Sequence, residues 1–512
     1  MIRKLLEQSK SNILEITGFF FLILSLYGLN ALPVKSWFAV GNLSYYGNIF
    51  QFSQLLSEPW GSFSGSLKPG DLGGLIVFGS DSLQPWNLFL ISIARCMKWL
   101  GEPSYLVCVL PGLISYFLGG YILFKICLHD LSYLSKWCGY VIYLLLPMGV
   151  NISRSIIPES FAMFLLILQI AGLQQMVKRN TVATIVLMIL ANSISIYCFP
   201  KNALISFGIF FWHFLRSYDK KSFCRDILPL VSIIVISLIA KKIYLVNSWT
   251  AGHSEHIFLL NIILSKEYWL GWWHIARDNF RFLLAFIPLT FLLRKNSQES
   301  SDIVLGILLG YFTLGLFFTY HIFTHSYYSY PLLIACPVSL AVVLNFILNL
   351  SFLNARKYLK SAIVFALPLG ILFTYFPIYK NIILESKKNI EISLDLKARY
   401  EKLQFLTQKS DKIIFFAEGD GACFQVFYAR NGFPWPAKSN LLGERKIGKW
   451  INVSEAEYFA HYLNMHKSKG ASFFFTDRVK EFEEQDGNSD LVQKHLTQIY
   501  SDNSIKVFRV KY

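Results

Sequence analysis

The chain has 512 residues, of which 54% are hydrophobic, 16% aromatic and only 16% charged. Charge this sparse, gathered in short clusters between long apolar runs, argues against an ordinary soluble enzyme and for a chain that crosses a membrane many times. The formal net charge of +16 would suggest nucleic acid in a soluble protein. Here most Lys and Arg lie in the connections between apolar runs, as orientation signals do, so no nucleic-acid partner is expected.

A membrane-spanning helix needs about 20 mostly apolar residues. In chain order the sequence predicts about eleven such segments: Ile13–Leu32, Tyr105–Cys127, Leu134–Val150, Ser160–Gln175, Thr181–Cys198, Ala203–Leu215, Ile227–Val246, Arg281–Leu293, Ile303–Tyr320, Leu332–Leu350 and Ser361–Tyr379. The first lacks a small-residue cleavage site and reads as a retained span rather than a signal peptide. Arg3, Lys4 and Lys10 precede it; Lys136, Lys178 with Arg179, Arg216 with Lys220 and Lys221, Arg294 with Lys295, and Arg356 with Lys357 and Lys360 fall at every second connection. The positive-inside rule then places the N-terminus in the cytoplasm and, with an odd number of spans, the tail outside. In a bacterium this is an inner-membrane protein with a periplasmic tail. Asn42, Asn151 and Asn452 stand in outward N-x-S sequons, which a eukaryotic host would hold in the lumen. Lys241 and Lys242, at the outer end of the seventh span, either snorkel or face a phosphate.

The outer connections are where chemistry can sit. The first, residues 33–104, is far too long for a simple turn. It predicts two interfacial helices, Tyr46–Leu56 and Trp86–Leu100, separated by a Gly/Ser-rich loop with Glu58, Asp71 and Asp81. The next carries Arg154, Pro158 and Glu159; Pro158 suits a first helical turn, and Glu159 either complements the helix dipole or faces a ligand. Lys201, in Phe199-Pro-Lys-Asn202, is an isolated cation between apolar spans, either snorkelling or partnered by a lipid-linked phosphate. Residues 247–280 include Trp269, Trp272 and Trp273, an expected interfacial anchor. His321-Ile-Phe-Thr-His-Ser-Tyr-Tyr-Ser-Tyr330 then packs imidazoles and phenols into a short turn at a membrane boundary. That turn is either an aromatic belt or the wall of a polar pocket in which rings stack on sugars or a diphosphate.

From Lys380 the composition changes. Residues 381–402 predict a charged linker helix and 403–512 a small α/β domain. Its expected strands are Lys412–Ala417, Ala471–Thr476 and Ile505–Val510, and its expected helices Cys423–Arg430, Glu455–His466 and Leu491–Tyr500. Glu418-Gly-Asp-Gly421 lacks the full glycine fingerprint of a dinucleotide site and reads as a tight strand-to-helix turn. All cysteines but Cys423 lie in or beside apolar segments, and neither a disulfide framework nor a metal-ligand spacing emerges. No cofactor is assigned, and a divalent metal is left without a visible ligand motif.

Taken together, the long first outer loop, the outer Arg154-x-x-x-Pro158-Glu159, the lone outer Lys201 and His325-x-Tyr327-Tyr328-x-x-Pro331-Leu332 resemble the GT-C glycosyltransferases. Within that superfamily the likeness is to bacterial relatives of the protein O-mannosyltransferases and of the lipid A aminoarabinose transferase. Gln84-Pro-Trp86 sits where the family often has Pro-Pro-x-Tyr. The resemblance implies a polytopic helical membrane domain over residues 1–380, with a small extracytoplasmic α/β domain behind it. It also implies transfer of a sugar from a polyprenyl-phosphate donor to a lipid, glycan or protein acceptor on the outer face. Arg154, Glu159, Lys201, His325, Tyr327 and Tyr328 would then line the substrate site. The family's base is usually an Asp soon after the first span, yet no Asp or Glu occurs between Glu15 and Glu58. Asp71 and Asp81 are the nearest first-loop carboxylates that can take its place. A relative that only binds lipid or glycan, and a lipid or glycan transporter, are the alternatives.

Overall fold

The structure is a computed structural model describing residues 15–21, 23–24, 105–153, 159–179, 181–217, 223–245, 259–323, 325–350, 357–408, 411–416, 431–435, 455–468, 470–483 and 490–511. The chain divides into two compact units, Met1–Pro33 with Leu106–Leu384, and Val34–Tyr105 with Glu385–Tyr512. The first outer loop, with its expected interfacial helices, lies outside the described residues, as do Asp71, Asp81, Arg154, Glu418–Gly421 and Cys423–Arg430.

The first unit is helical. Helix α1 (Tyr105–Ile122) runs on into one π-helical turn, Leu123–Cys127. Helix α2 (Tyr133–Leu145) stops at Leu146, whose ψ of 123° is extended because Pro147 follows. Pro147 itself opens the short helix α3 (Pro147–Ser153), where its missing N–H costs nothing. Then come α4 (Glu159–Arg179), α5 (Val182–Cys198), α6 (Asn202–Ser217) and α7 (Phe223–Leu245). Thr181 and Thr184 form a capping box at the start of α5. Helix α8 (Lys266–Phe280) is capped by Ser265, whose hydroxyl accepts from the Tyr268 N–H at 3.2 Å.

The segment read as one span, Arg281–Leu293, is instead a 3-10 stretch, Arg281–Ala285, followed by α9 (Phe286–Leu292). Arg281 enters it with φ 47°, so the chain breaks direction there and no continuous helix forms. Helices α10 (Gln298–Phe317), α11 (Leu332–Leu348) and α12 (Lys357–Gln404) complete the helical order. The last span and the linker helix read from the sequence are thus one 48-residue helix. The Lys and Asn at 380–381 look like a boundary by hydropathy, but nothing there breaks a helix.

Among the described residues, five helical segments are long and apolar enough to cross a membrane: Leu110–Cys127, Glu159–Arg179, Gln298–Phe317, Ser326–Leu348 and Tyr358–Asn381. Val182–Cys198 and Ile227–Ile239 are shorter apolar helices. The tightest pairing is α6 on α10. A Cβ placed on Gly208 would lie 2.1 Å from the Gly310 nitrogen, and one on Gly310 would lie 2.5 Å from the Ile205 Cα. Only glycines let these two backbones meet, the small-residue device of membrane helix pairs.

The second unit carries a five-stranded sheet in the order β2-β1-β3-β5-β4. Strands β1 (Lys412–Phe416), β2 (Asn431–Pro434) and β3 (Ala471–Thr476) are parallel, while β4 (Leu496–Ser501) and β5 (Lys506–Val510) pair antiparallel at the far side. Ile414, Phe416, Leu463, Phe474, Phe482 and Phe508 fill its core. The predicted helix Leu491–Tyr500 is corrected: a short helix, Asp490–His495, gives way to β4, because Ile499 and Tyr500 lie in a segment that ladders onto β5. Strand β2 is missed by sequence reading since Gly432 and Pro434 look like breakers; as an edge strand it tolerates the proline.

Candidate functional site

Three stretches that are distant in sequence meet at one end of the helical unit. They are the start of α4, the connection between α5 and α6, and the turn between α10 and α11. The Lys201 ammonium donates to Glu159 Oε1 at 2.6 Å, and the two side chains are only 15% and 4% exposed. The ammonium also faces the rings of Tyr327, Tyr328 and Tyr330, whose centroids lie 5.7, 4.6 and 5.6 Å away. Aromatic faces are negative, so they stabilise a cation that burial would otherwise penalise. The other Glu159 oxygen, Oε2, is buried with no hydrogen-bond partner among the described residues. A carboxylate with one oxygen held and one idle is unusual in a protein interior.

Asn202 fixes this geometry. Its amide donates to the Ala162 carbonyl and to the Ser195 hydroxyl, both at 2.9 Å, and its carbonyl accepts from the Tyr330 hydroxyl. One fully buried side chain therefore joins α4, α5 and the aromatic turn. Behind the turn, the Trp272 indole donates to the Tyr311 hydroxyl at 2.7 Å, and that hydroxyl meets Ser329 at 2.8 Å. Tyr268 and Phe323 pack edge to face beside them.

The turn itself folds as Thr319–Ile322 followed by a 3-10 turn, Ser326–Ser329. His321 stacks on Tyr328 with ring centroids 5.4 Å apart and planes 8° from parallel. His325 meets the edge of Tyr327 at 5.3 Å. Desolvation holds the His325 pKa below the ordinary histidine range, the His321 carbonyl opposes this, and the nearby Lys201 charge adds to the lowering. His325 is accordingly a neutral imidazole at neutral pH.

Of the residues predicted from sequence, the structure thus brings together Glu159, Lys201, His325, Tyr327 and Tyr328. Arg154, Asp71 and Asp81 lie outside the described residues. Sequence reading did not single out Asn202, Ser195, Tyr330 or the Trp272–Tyr311–Ser329 chain. Tyr330 had the signal of its neighbours, whereas a buried Asn or Ser carries no pattern of its own. The tryptophans divide: Trp272 is buried and structural, while Trp269 and Trp273 are 42% and 54% exposed, as interfacial anchors are. Among the described residues no group of His, Cys, Asp and Glu is arranged to hold a metal ion.

No family model matches the sequence, and no curated protein matches it. Solved structures do match the fold. ArnT from Cupriavidus metallidurans in the apo state aligns at TM-score 0.51 and 9% identity, over 82% of this chain and 87% of that one. The same protein bound to undecaprenyl phosphate gives TM-score 0.52 with the same identity and coverage. The oligosaccharyltransferase of Archaeoglobus fulgidus in the apo form aligns at TM-score 0.50 and 11% identity, over 96% of this chain and 74% of that one. The five long apolar helices among the described residues are what a multi-pass membrane protein requires. At such identities the likeness is one of architecture alone: the chain shares the overall fold of these two proteins.

Proposed function

We propose that this protein is a membrane glycosyltransferase that moves a sugar from a polyprenyl-phosphate donor to an acceptor at the outer face. The observation that carries the reading is the buried Lys201–Glu159 pair under three tyrosine rings, set at one end of a GT-C fold. One of the solved structures of that fold holds undecaprenyl phosphate, which supports a lipid phosphate as the donor's leaving group. In the reaction the acceptor oxygen bonds to the anomeric carbon as the bond from that carbon to the phosphate oxygen breaks. The electron pair leaves with the lipid phosphate, and the acceptor proton passes to a carboxylate.

Lys201 supplies a cation for the charge that grows on the phosphate, with Arg154 as the second cation. The pair with Glu159 sets a condition. A phosphate arriving at Lys201 meets a carboxylate, so Glu159 must turn away or the second cation must outweigh it. Tyr327 offers its ring to a sugar, Tyr328, stacked on His321, holds the Lys201 ammonium at the site, and neutral His325 offers one donor and one acceptor. Asp71, in Pro69-Gly-Asp-Leu-Gly-Gly74, is the first candidate for base and Asp81 the second. The test is full-length protein in liposomes, supplied with undecaprenyl-phosphate-linked sugars, with release of undecaprenyl phosphate as the readout. Asp71→Asn keeps the shape and removes the base; wild-type turnover in that variant would eliminate Asp71. Tight binding of undecaprenyl phosphate with no turnover for any sugar or acceptor would favour the binding-only reading. The absence of Asp or Glu between Glu15 and Glu58 is what keeps that second reading in view.

A further inference from the structure

At the opposite end of the same helices lies a cavity of about 300 Å³ between α4, α6 and α10, at the lower edge of small-molecule sites. It starts beyond the Gly208–Gly310 crossing. Asn202 and Arg216 are about 21 Å apart along α6 at 1.5 Å per residue, so the cavity is separate from the Lys201 site.

Its polarity is segregated. The floor is aliphatic and buried: Ile170, Leu173, Ile209 and Ile303. The mouth, one to two helical turns further along α4 and α6, is set with Lys178 and Arg216. The Arg216 guanidinium reaches both oxygens of Asp302 at 2.6 Å, and Arg294 Nε reaches the same carboxylate at 3.1 Å. Two guanidinium charges thus face one carboxylate, and one positive charge is left over. Glu299 is engaged by the His129 Nε2 at 2.8 Å, and Lys178 by the other nitrogen of that ring at 3.2 Å. Lys178 and Arg216 at the mouth, with Arg294 behind Asp302, thus set three positive charges against the two carboxylates Glu299 and Asp302.

We infer that this cavity is a binding site for an anionic phospholipid, with an acyl chain on the aliphatic floor and the phosphate at Lys178 and Arg216. A soluble anion would leave the floor empty, and a zwitterionic head would gain little from the excess charge. A ligand polar throughout would set part of itself against the aliphatic floor of Ile170, Leu173, Ile209 and Ile303, which offers no hydrogen bond. The inference uses the membrane placement of the helices and is independent of any transferase activity.

The test titrates full-length protein, delipidated in detergent, with dioleoylphosphatidylglycerol, dioleoylphosphatidylcholine and inorganic phosphate, read by native mass spectrometry. A phosphatidylglycerol with a diazirine in its acyl chain then maps the contact. The expected result is phosphatidylglycerol binding about tenfold tighter than phosphatidylcholine, with label in the peptides around 170–178 and 209–216. Lys178→Glu should weaken binding about tenfold, Lys178→Arg should not, and Val177→Trp should remove the label by filling the mouth. Lys266→Glu, an exposed basic position on α8, serves as the control and should bind as the wild type does. Equal binding of the two phospholipids, label confined to other helices, or undiminished binding in Lys178→Glu would each overturn the assignment. Displacement of the lipid by inorganic phosphate with equal affinity would show a free-anion site instead.

Discussion

At the residue scale, the Lys201–Glu159 pair decides how a loss of function should be read. Breaking a buried pair leaves its partner charged and unpaired, at a cost of roughly 3–5 kcal/mol, whereas replacing both members is often close to neutral. Lys201→Ala alone should therefore lower both thermal stability and turnover, because Glu159 is only 4% exposed. Lys201→Met combined with Glu159→Gln should recover most of the stability. If Lys201 meets the donor phosphate, the double variant should still lose turnover by about a hundredfold, the scale of a removed electrostatic stabiliser. Melting temperature and undecaprenyl phosphate release, measured on the same preparations, separate the two effects; a stable double variant with wild-type turnover would show Lys201 to be structural. His325 gives a pH signature. Its pKa is lowered, so it is neutral in the folded protein while an unfolded chain would already bind a proton near 6.5. The contribution of His325 to folding stability is intact above that value and declines as pH falls through the lowered one. Turnover should fall over the same acid range as the protonated His325 loses its one acceptor nitrogen, and His325→Gln should flatten that acid limb while leaving the alkaline limb in place.

At the scale of elements, the α6–α10 crossing is the stiffest joint. Gly310→Ala would force a methyl to 2.5 Å from the Ile205 Cα, a backbone atom that cannot step aside. The expected cost is about 1–3 kcal/mol or more. Gly370→Ala on α12, with nothing within 4 Å of the added carbon, should be neutral or mildly stabilising by the same melting measurement. The joint also separates what the sequence made legible from what it hid. Apolar runs such as Gln298–Phe317 and Leu332–Leu348 announce themselves by composition, since a helix in lipid has no other way to solvate its surface. Isolated Lys201 and the crowded His–Tyr turn were visible because polar groups are rare in such a background. Asn202, Ser195 and Tyr330 were not, because their roles arise only when α4, α5 and the turn converge. The break at Arg281 and strand β2 were hidden for a different reason. A positive φ at one residue and an edge pairing across a sheet leave no periodic trace in the sequence.

At the scale of the whole helical unit, the two sites lie at opposite ends, and the distribution of basic residues predicts that these ends meet opposite faces of a membrane. The network of Arg216, Arg294 and Asp302 joins the end of α6 to the start of α10. Lys201 and the tyrosine rings join the start of α6 to the connection after α10. Lys178 and Arg179 close α4, and Lys357 opens α12, so basic residues gather at helix ends removed from Glu159. The positive-inside rule predicts a cytoplasmic basic end and an outward-facing Lys201 end. Two positions discriminate this arrangement from its inverse: Ser351, in the connection before α12, and Ser410, after it. In a background stripped of accessible native cysteines, Ser351→Cys should react only with a membrane-permeant maleimide. Ser410→Cys should also react with an impermeant one added from outside. Labelling of position 410 from the cytoplasmic side alone would place α12 the other way round. The Lys201 site would then face the cytoplasm, and transfer from a lipid-linked sugar at the outer face would have no site to occur in.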